Sequence, residues 1–98
     1  MQERRTEKRW PKQIPIRLVV GSGREVLSED ATTENISRHG ACVLSELPIN
    51  SGRYLMVINP EHPKSFVAMV RARRKGTDER TRLHLEFVNQ EWLLVDVE

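Results

Sequence analysis

Apolar and polar residues alternate with a period of two through most of this chain, and this pattern limits the folds available to it. The alternation is clearest between Phe66 and Arg73 and again between Arg82 and Phe87. A period of two predicts β-strands with one buried face. In the first of these strands the expected inward set is Phe66, Ala68, Val70 and Ala72, and the expected outward set is Val67, Met69, Arg71 and Arg73.

Four further apolar runs are separated by turn residues, at 14–20, about 30–37, 41–47 and 54–58. Gly21-Ser22-Gly23 interrupts the chain after the first run, and Lys75-Gly76-Thr77-Asp78 supplies a hairpin connection before the last strand. Six short strands predict an all-β fold, either a small antiparallel barrel or a sandwich. We favour a six-stranded antiparallel barrel, because closure removes the edges that an open sheet would expose.

The 98 residues suffice for one domain with one core. We expect a single domain over 1–98, with a flexible arginine-rich arm at 1–12, a barrel at 13–88 and a short tail at 89–98. The tail pattern is compatible with either a short helix or a seventh strand.

Composition also limits the cellular setting. No apolar run reaches the roughly 20 residues that a membrane-spanning helix needs, and residues 1–10 are too charged for a secretory signal. The single cysteine, Cys42, has no partner for an internal disulfide or a zinc site. We therefore expect a cytoplasmic protein that is not inserted in a membrane.

Positive charge is concentrated near the start of the chain. Between residues 1 and 24 there are seven Lys or Arg residues and two acidic residues. Arginine donates hydrogen bonds in a planar fork that fits phosphate and the guanine edge, so this segment indicates an anionic partner. A solvated tail that only maintains solubility is the alternative explanation of the same charges.

Catalytic patterns are not found. The histidines His39, His62 and His84 lie on different segments without metal-ligand spacing, and no GxSxG elbow or phosphate-binding glycine loop occurs. The sequence therefore predicts a protein that is not an enzyme and needs no cofactor or metal.

Two short motifs remain as candidates for binding. The first is an RxxxR spacing of Arg5 and Arg9 ahead of the first strand, where two guanidinium groups can reach one small anion. The second is Asn35, Ser37 and Gly40 at the turn after the second strand. An extended strand places Asn35 and Ser37 on one face, with Ile36 in the core, and the pair suits a purine edge. Turn-forming preference alone also explains this second motif.

Both motifs in this order resemble the PilZ domain family, whose members are bacterial six-stranded barrels that bind cyclic di-GMP. The resemblance covers nearly the whole chain and includes RRxxxR before the first strand and (D/N)xSxxG between the second and third strands. It implies a receptor in which Arg5 and Arg9 hold phosphates and guanines, Asn35 and Ser37 bind a guanine edge, and Gly40 lets the backbone approach.

The resemblance further implies a cyclic di-GMP ligand, an unidentified downstream protein partner and control of motility, biofilm or exopolysaccharide output. A monomer or a ligand-linked dimer is expected. Additional candidate ligand residues are Arg4, Lys8, Arg38, Arg71 and Arg73. The chain departs from the family in carrying Asn35 where many members have Asp, His84 where a glycine is usual, and a shortened or missing C-terminal helix.

Two alternatives follow from the same residues. A PilZ-like scaffold that does not bind nucleotide would act through protein contacts. A nucleic-acid-binding barrel would suit the basic arm, but such barrels stack bases on exposed aromatic side chains, and aromatics are only 5% of this chain. We therefore expect no nucleic-acid partner.

Overall fold

The described residues of the protein form a closed β-barrel. The fold is taken from a computed structural model, in which residues 8–22, 24–60 and 65–88 are described. These residues form six strands: β1 (Pro15–Ser22), β2 (Glu25–Ser37), β3 (Gly40–Leu44), β4 (Tyr54–Ile58), β5 (Ser65–Lys75) and β6 (Thr81–Phe87). All neighbours pair antiparallel, and the barrel closes in the order β1-β2-β3-β6-β5-β4. The predicted six-stranded antiparallel barrel is confirmed.

None of the described ranges contains a helix with the length and apolar character to cross a membrane. The tail at 89–98, which the sequence leaves open as a helix or a strand, lies outside the described residues.

Apolar side chains from every second strand position fill the barrel. Leu18, Val43 and Leu83 have no solvent exposure, and the rings of Phe66 and Phe87 pack with their centroids 5.1 Å apart. Burying one such side chain contributes about 1.5–3 kcal/mol, so this interior supplies most of the fold's stability. The alternation recognised in the sequence therefore corresponds to the interior of the barrel.

The first hairpin is longer than predicted. β1 continues through Gly21 and Ser22, and β2 begins at Glu25 rather than near residue 30. Gly21 stays in the strand with a φ of 124°, where an added Cβ would lie 2.1 Å from the Glu25 carbonyl oxygen. The end of the hairpin extends beyond the barrel, and Val26 and Leu27 are both exposed. Because neither face is buried there, the sequence carries no alternation that would mark the strand.

The third strand is shorter than predicted, because it ends at Leu44 instead of residue 47. The Ser45 hydroxyl donates to Glu29 and accepts from the backbone N–H of Leu47, and such local bonds compete with strand pairing. Leu47 and Ile49 are nevertheless buried. The apolar run therefore reported burial correctly and strand structure incorrectly.

Two β-bulges change which residues face outward. In β2 the register against β3 shifts between Thr33 and Asn35, and in β5 the register against β6 shifts between Val70 and Ala72. A one-residue shift moves every later side chain to the other face. The expectation that Ala72 continues the inward set of β5 is therefore wrong, because Ala72 pairs with His84 and is partly exposed.

The Gly40→Ala variant tests how closely β3 and β6 approach. An added Cβ would lie 2.4 Å from the Leu85 carbonyl oxygen, so the two strands would have to separate. We expect the free energy of unfolding to fall by about 1–3 kcal/mol or more. Chemical denaturation measures this, with Arg38→Ala in the adjacent exposed turn as a control that should change stability by less than about 0.5 kcal/mol. Equal stability of Gly40→Ala and the unmodified protein would contradict the packing described here.

Candidate functional site

The bulge in β2 determines how the second motif is presented. Thr33 and Ile36 are both fully buried, and the two residues between them, Glu34 and Asn35, are both partly exposed. Without the extra residue, strict alternation after Thr33 would turn Asn35 inward and Ile36 outward. The inserted residue Glu34 therefore places the Asn35 amide on the outer surface of the barrel.

The end of the arm is bonded to the same strand. Trp10 and Ile36 exchange two backbone hydrogen bonds, from Trp10 N to Ile36 O at 2.8 Å and from Ile36 N to Trp10 O at 2.9 Å. The Thr33 hydroxyl donates to the Lys12 carbonyl at 2.6 Å. Within the predicted flexible arm at 1–12, the described part is thus docked against β2 from Trp10 onward.

This docking brings the two motifs together. Arg9 precedes the bridging Trp10, and its Nη1 donates to Oδ1 of Asn35 at 2.7 Å. Arg9 belongs to the first motif and Asn35 to the second, and they are 26 residues apart in sequence. Arg4 and Arg5 lie outside the described residues, so the position of the other half of the RxxxR motif is not part of this geometry.

Strand register extends the site across the barrel. Asn35 pairs with Cys42 on β3, Cys42 pairs with His84 on β6, and His84 pairs with Ala72 on β5. One row therefore runs from Asn35 to β5 on the outer side of the sheet. We call this surface the candidate face and define it by Arg9, Asn35, Cys42, Arg74 and His84.

An ion-pair cluster supports one edge of the candidate face. Arg82 on β6 donates to both carboxylate oxygens of Glu34, at 2.7 and 2.9 Å, and to both oxygens of Asp78, at 2.9 Å each. The hydrogen bond from Arg82 lowers the pKa of Glu34 and that of Asp78, and both carboxylates together raise the pKa of Arg82. The bulge residue is thus ionised and bonded to β6.

The central residues of the candidate face are uncharged at neutral pH. Burial, followed by the positive charges of Arg74 and Arg9, lowers the pKa of His84. Burial and the negative charge of Glu34 raise the pKa of Cys42, so its thiol is not a reactive thiolate. The expectation that His84 is a solvated outward residue is wrong in one respect: it is on the outer side but only partly exposed.

Ser37 and Gly40 differ from their expected surroundings. Ser37 follows Asn35 on the same side of β2, but its side chain is fully buried and its hydroxyl donates to the Gly40 carbonyl at 3.4 Å. The expectation of an exposed hydroxyl beside Asn35 is therefore wrong. The need for glycine at position 40 comes from its close approach to Leu85 in β6.

The structure also places the additional candidate residues. Lys8 lies over the Trp10 ring, 5.7 Å from its centroid, and Arg71 bonds to Glu86. Arg38 is exposed in the turn between β2 and β3. Because of the bulge in β5, Arg73 pairs with inward-facing Leu83 and lies on the other side of the strand from the candidate face.

Arg74 occupies the position that the alternation had assigned to Arg73, since it pairs with outward-facing Arg82. Sequence reasoning missed Arg74, because a bulge leaves no signal in a pattern of apolar residues. In the described part of the chain, no three His, Cys, Asp or Glu side chains are arranged to hold a metal ion.

Comparison with known proteins agrees with this architecture. A family model described as the PilZ domain matches residues 3–91. The chain belongs to the PilZ domain family. No curated protein sequence gives a significant match.

A solved structure similar to this PilZ domain is that of the Bacillus subtilis inhibitor of motility (MotI/DgrA). The TM-score is 0.70, the sequence identity is 22%, and the similarity covers 91% of this chain and 44% of that chain. A likeness at this identity shows a shared fold. The PilZ domain described here spans less than half the length of that protein.

The lowered pKa of His84 predicts how stability depends on pH. In the unfolded chain His84 has its ordinary pKa of 6.5, whereas the folded protein disfavours the imidazolium. The unfolded state therefore binds the proton first, and the free energy of unfolding should fall as pH drops from about 6.5 through the folded-state pKa. Urea denaturation between pH 8 and 5 measures this. His84→Gln should remove that part of the decrease, and an unchanged profile in the variant would exclude His84 as its source.

Proposed function

We propose that this PilZ domain is a non-enzymatic receptor for cyclic di-GMP. The observation that carries the proposal is the hydrogen bond from Arg9 to Asn35, because it joins one residue of each motif at a single point on the barrel. A dinucleotide carrying phosphates and guanines needs guanidinium and amide groups side by side. Membership of the PilZ family supports the same ligand.

The chemistry of each residue suggests its role. Arg9, with Arg5 from the preceding turn of the motif, pairs with phosphate oxygens or with guanine O6 and N7, and both can stack on purine planes. The Asn35 amide lies beside Arg9 and hydrogen-bonds a guanine edge. Because Trp10 is bonded to Ile36, Arg9 is held close to its binding position before the ligand arrives.

Binding can be transmitted through the arm. A ligand held between residues 1–9 and the candidate face would fix the arm against the barrel and change the surface offered to a protein partner. The structural neighbour is named as an inhibitor of motility, which makes motility one output to examine. We propose a cytoplasmic protein that works as a monomer or a ligand-linked dimer and acts on a downstream protein.

Alanine substitution of the motif arginines tests the receptor. Arg9→Ala and Arg5→Ala should each weaken cyclic di-GMP binding by roughly 10- to 100-fold, because a hydrogen bond to a charged group contributes about 1.5–3 kcal/mol. Calorimetric titration at physiological salt measures the dissociation constant. Arg17→Ala is the matched control, since it removes one positive charge from an exposed ion pair with Asp30 on β1, which carries none of the candidate-face residues.

Selectivity is part of the same test. We expect micromolar or tighter binding of cyclic di-GMP, about −8 kcal/mol or stronger, and weaker binding of cyclic di-AMP and GTP. A folded protein that shows neither heat nor a thermal shift with cyclic di-GMP would refute the receptor and favour the scaffold that works through protein contacts.

The Asn35→Asp variant tests the guanine contact. The single carbonyl oxygen of Asn35 already accepts from Arg9, whereas a carboxylate offers a second oxygen to guanine N–H donors. Asn35→Asp should therefore tighten cyclic di-GMP binding by about tenfold at neutral pH, as for one charge-assisted hydrogen bond. Weaker binding by the aspartate variant would show that Asn35 does not accept from the ligand.

A further inference from the structure

Two side chains outside both motifs share the candidate face with Arg9 and Asn35. His84 lies two strands from Asn35 in the same row, at a separation of about 10 Å from two strand spacings. Arg74 lies on the neighbouring strand β5, and its positive charge acts on His84. The row is therefore basic at both ends, with Arg9 at one end and Arg74 at the other.

Arg74 is placed where it does not help the fold. It stands directly opposite Arg82 in the β5–β6 register, and like charges at such positions destabilise a sheet. Arg82 is compensated by Glu34 and Asp78. Within the described ranges, no carboxylate forms an ion pair with Arg74. This arrangement leaves a cation on the candidate face that is available to an anionic ligand.

His84 is surrounded by groups of known charge. The arm contributes Arg9, β2 contributes Glu34, and β5 contributes Arg74. Arg82 acts from β6 itself, and the neutral thiol of Cys42 is the pairing partner on β3. Glu34 is already bonded to Arg82, so the imidazole experiences a net positive environment and remains neutral.

We propose that Arg74 and His84 hold a phosphate of the bound dinucleotide, and that His84 takes up one proton from the solvent when the phosphodiester binds. This inference rests on the proposed function, since it assigns further contacts to the same ligand. His84 donates from the protonated ring to a phosphate oxygen, and Arg74 pairs with the same group. The residue that stands in place of the usual glycine thus becomes a ligand contact.

The direction of the proton linkage follows from charge. In the free protein, burial and the nearby arginines disfavour the imidazolium, so His84 is neutral at pH 7. A bound phosphodiester supplies a negative charge that offsets these arginines and raises the pKa of His84. Cyclic di-GMP affinity should therefore strengthen as pH falls from 8 toward 6, by up to tenfold per pH unit for one coupled proton.

The experiment is calorimetric titration of cyclic di-GMP at pH 6, 7 and 8, in pairs of buffers with different ionisation enthalpies. The slope of observed enthalpy against buffer enthalpy gives the number of protons taken up. We expect uptake of up to one proton by the unmodified protein and no uptake by His84→Gln. His39→Gln is the matched control, because His39 lies exposed in the β2–β3 turn, and it should retain the full pH dependence.

Arg74→Gln tests the second contact. We expect about tenfold weaker binding at pH 7, equivalent to 1.4 kcal/mol. Lys75→Gln removes the same charge from the next residue of β5, which pairs with Glu79, and should leave the affinity within twofold. Equal effects of the two variants would show that Arg74 acts only through long-range attraction and would overturn its assignment.

The outcomes separate the two proposals. Binding that needs Arg9 but shows no proton uptake, with His84→Gln behaving like the unmodified protein, overturns this inference and leaves the receptor standing. Absence of binding at every pH overturns both. If His84→Gln does not fold, the NMR titration of the His84 ring in the unmodified protein decides: its pKa should rise on saturation with cyclic di-GMP, and an unchanged or lower value refutes the phosphate contact.

Discussion

The bulge at Glu34 is the constraint on which the candidate face depends. It inserts one residue between Thr33 and Asn35, so that Thr33 and Ile36 are both buried while the amide of Asn35 faces outward. Strict alternation would instead bury that amide, at a cost of about 1–3 kcal/mol if it found no partner. The inserted carboxylate is bonded at both oxygens to Arg82, which couples the bulge to β6 and to the β5–β6 hairpin through Asp78.

Anchoring of the arm adds to this arrangement. The paired backbone bonds between Trp10 and Ile36 fix the chain one residue after Arg9, so that only the Arg9 side chain needs to be ordered at the site. A group that is already positioned loses less conformational entropy when it binds. The interior strand that carries Ile36 therefore connects core packing to the geometry of the ligand surface.

The sequence predicted the barrel because burial repeats with a period of two, and β4 was placed from its pattern with the observed bounds. Prediction was poorer where burial and strand structure separate. Val26 and Leu27 lie in a strand but are exposed, while Leu47 is buried but lies outside a strand. At the site, the motifs identified Arg9 and Asn35 as neighbours. Arg74 was missed and Ser37 was misjudged, because bulges and interstrand packing depend on register rather than on residue type.

The projecting end of the β1–β2 hairpin has a consequence for association. β1 pairs with β4 only from Arg17 to Val19, and β2 pairs with β3 only from Thr32 onward. Among the described strands, the end of this hairpin beyond those pairs therefore has open backbone edges although the barrel itself is closed. Such edges accept additional strands, and charged side chains commonly protect them. Glu25, Glu29 and Asp30 along β2 give this edge a negative charge, which repels a second copy of the same hairpin and keeps the exposed edge from promoting self-association.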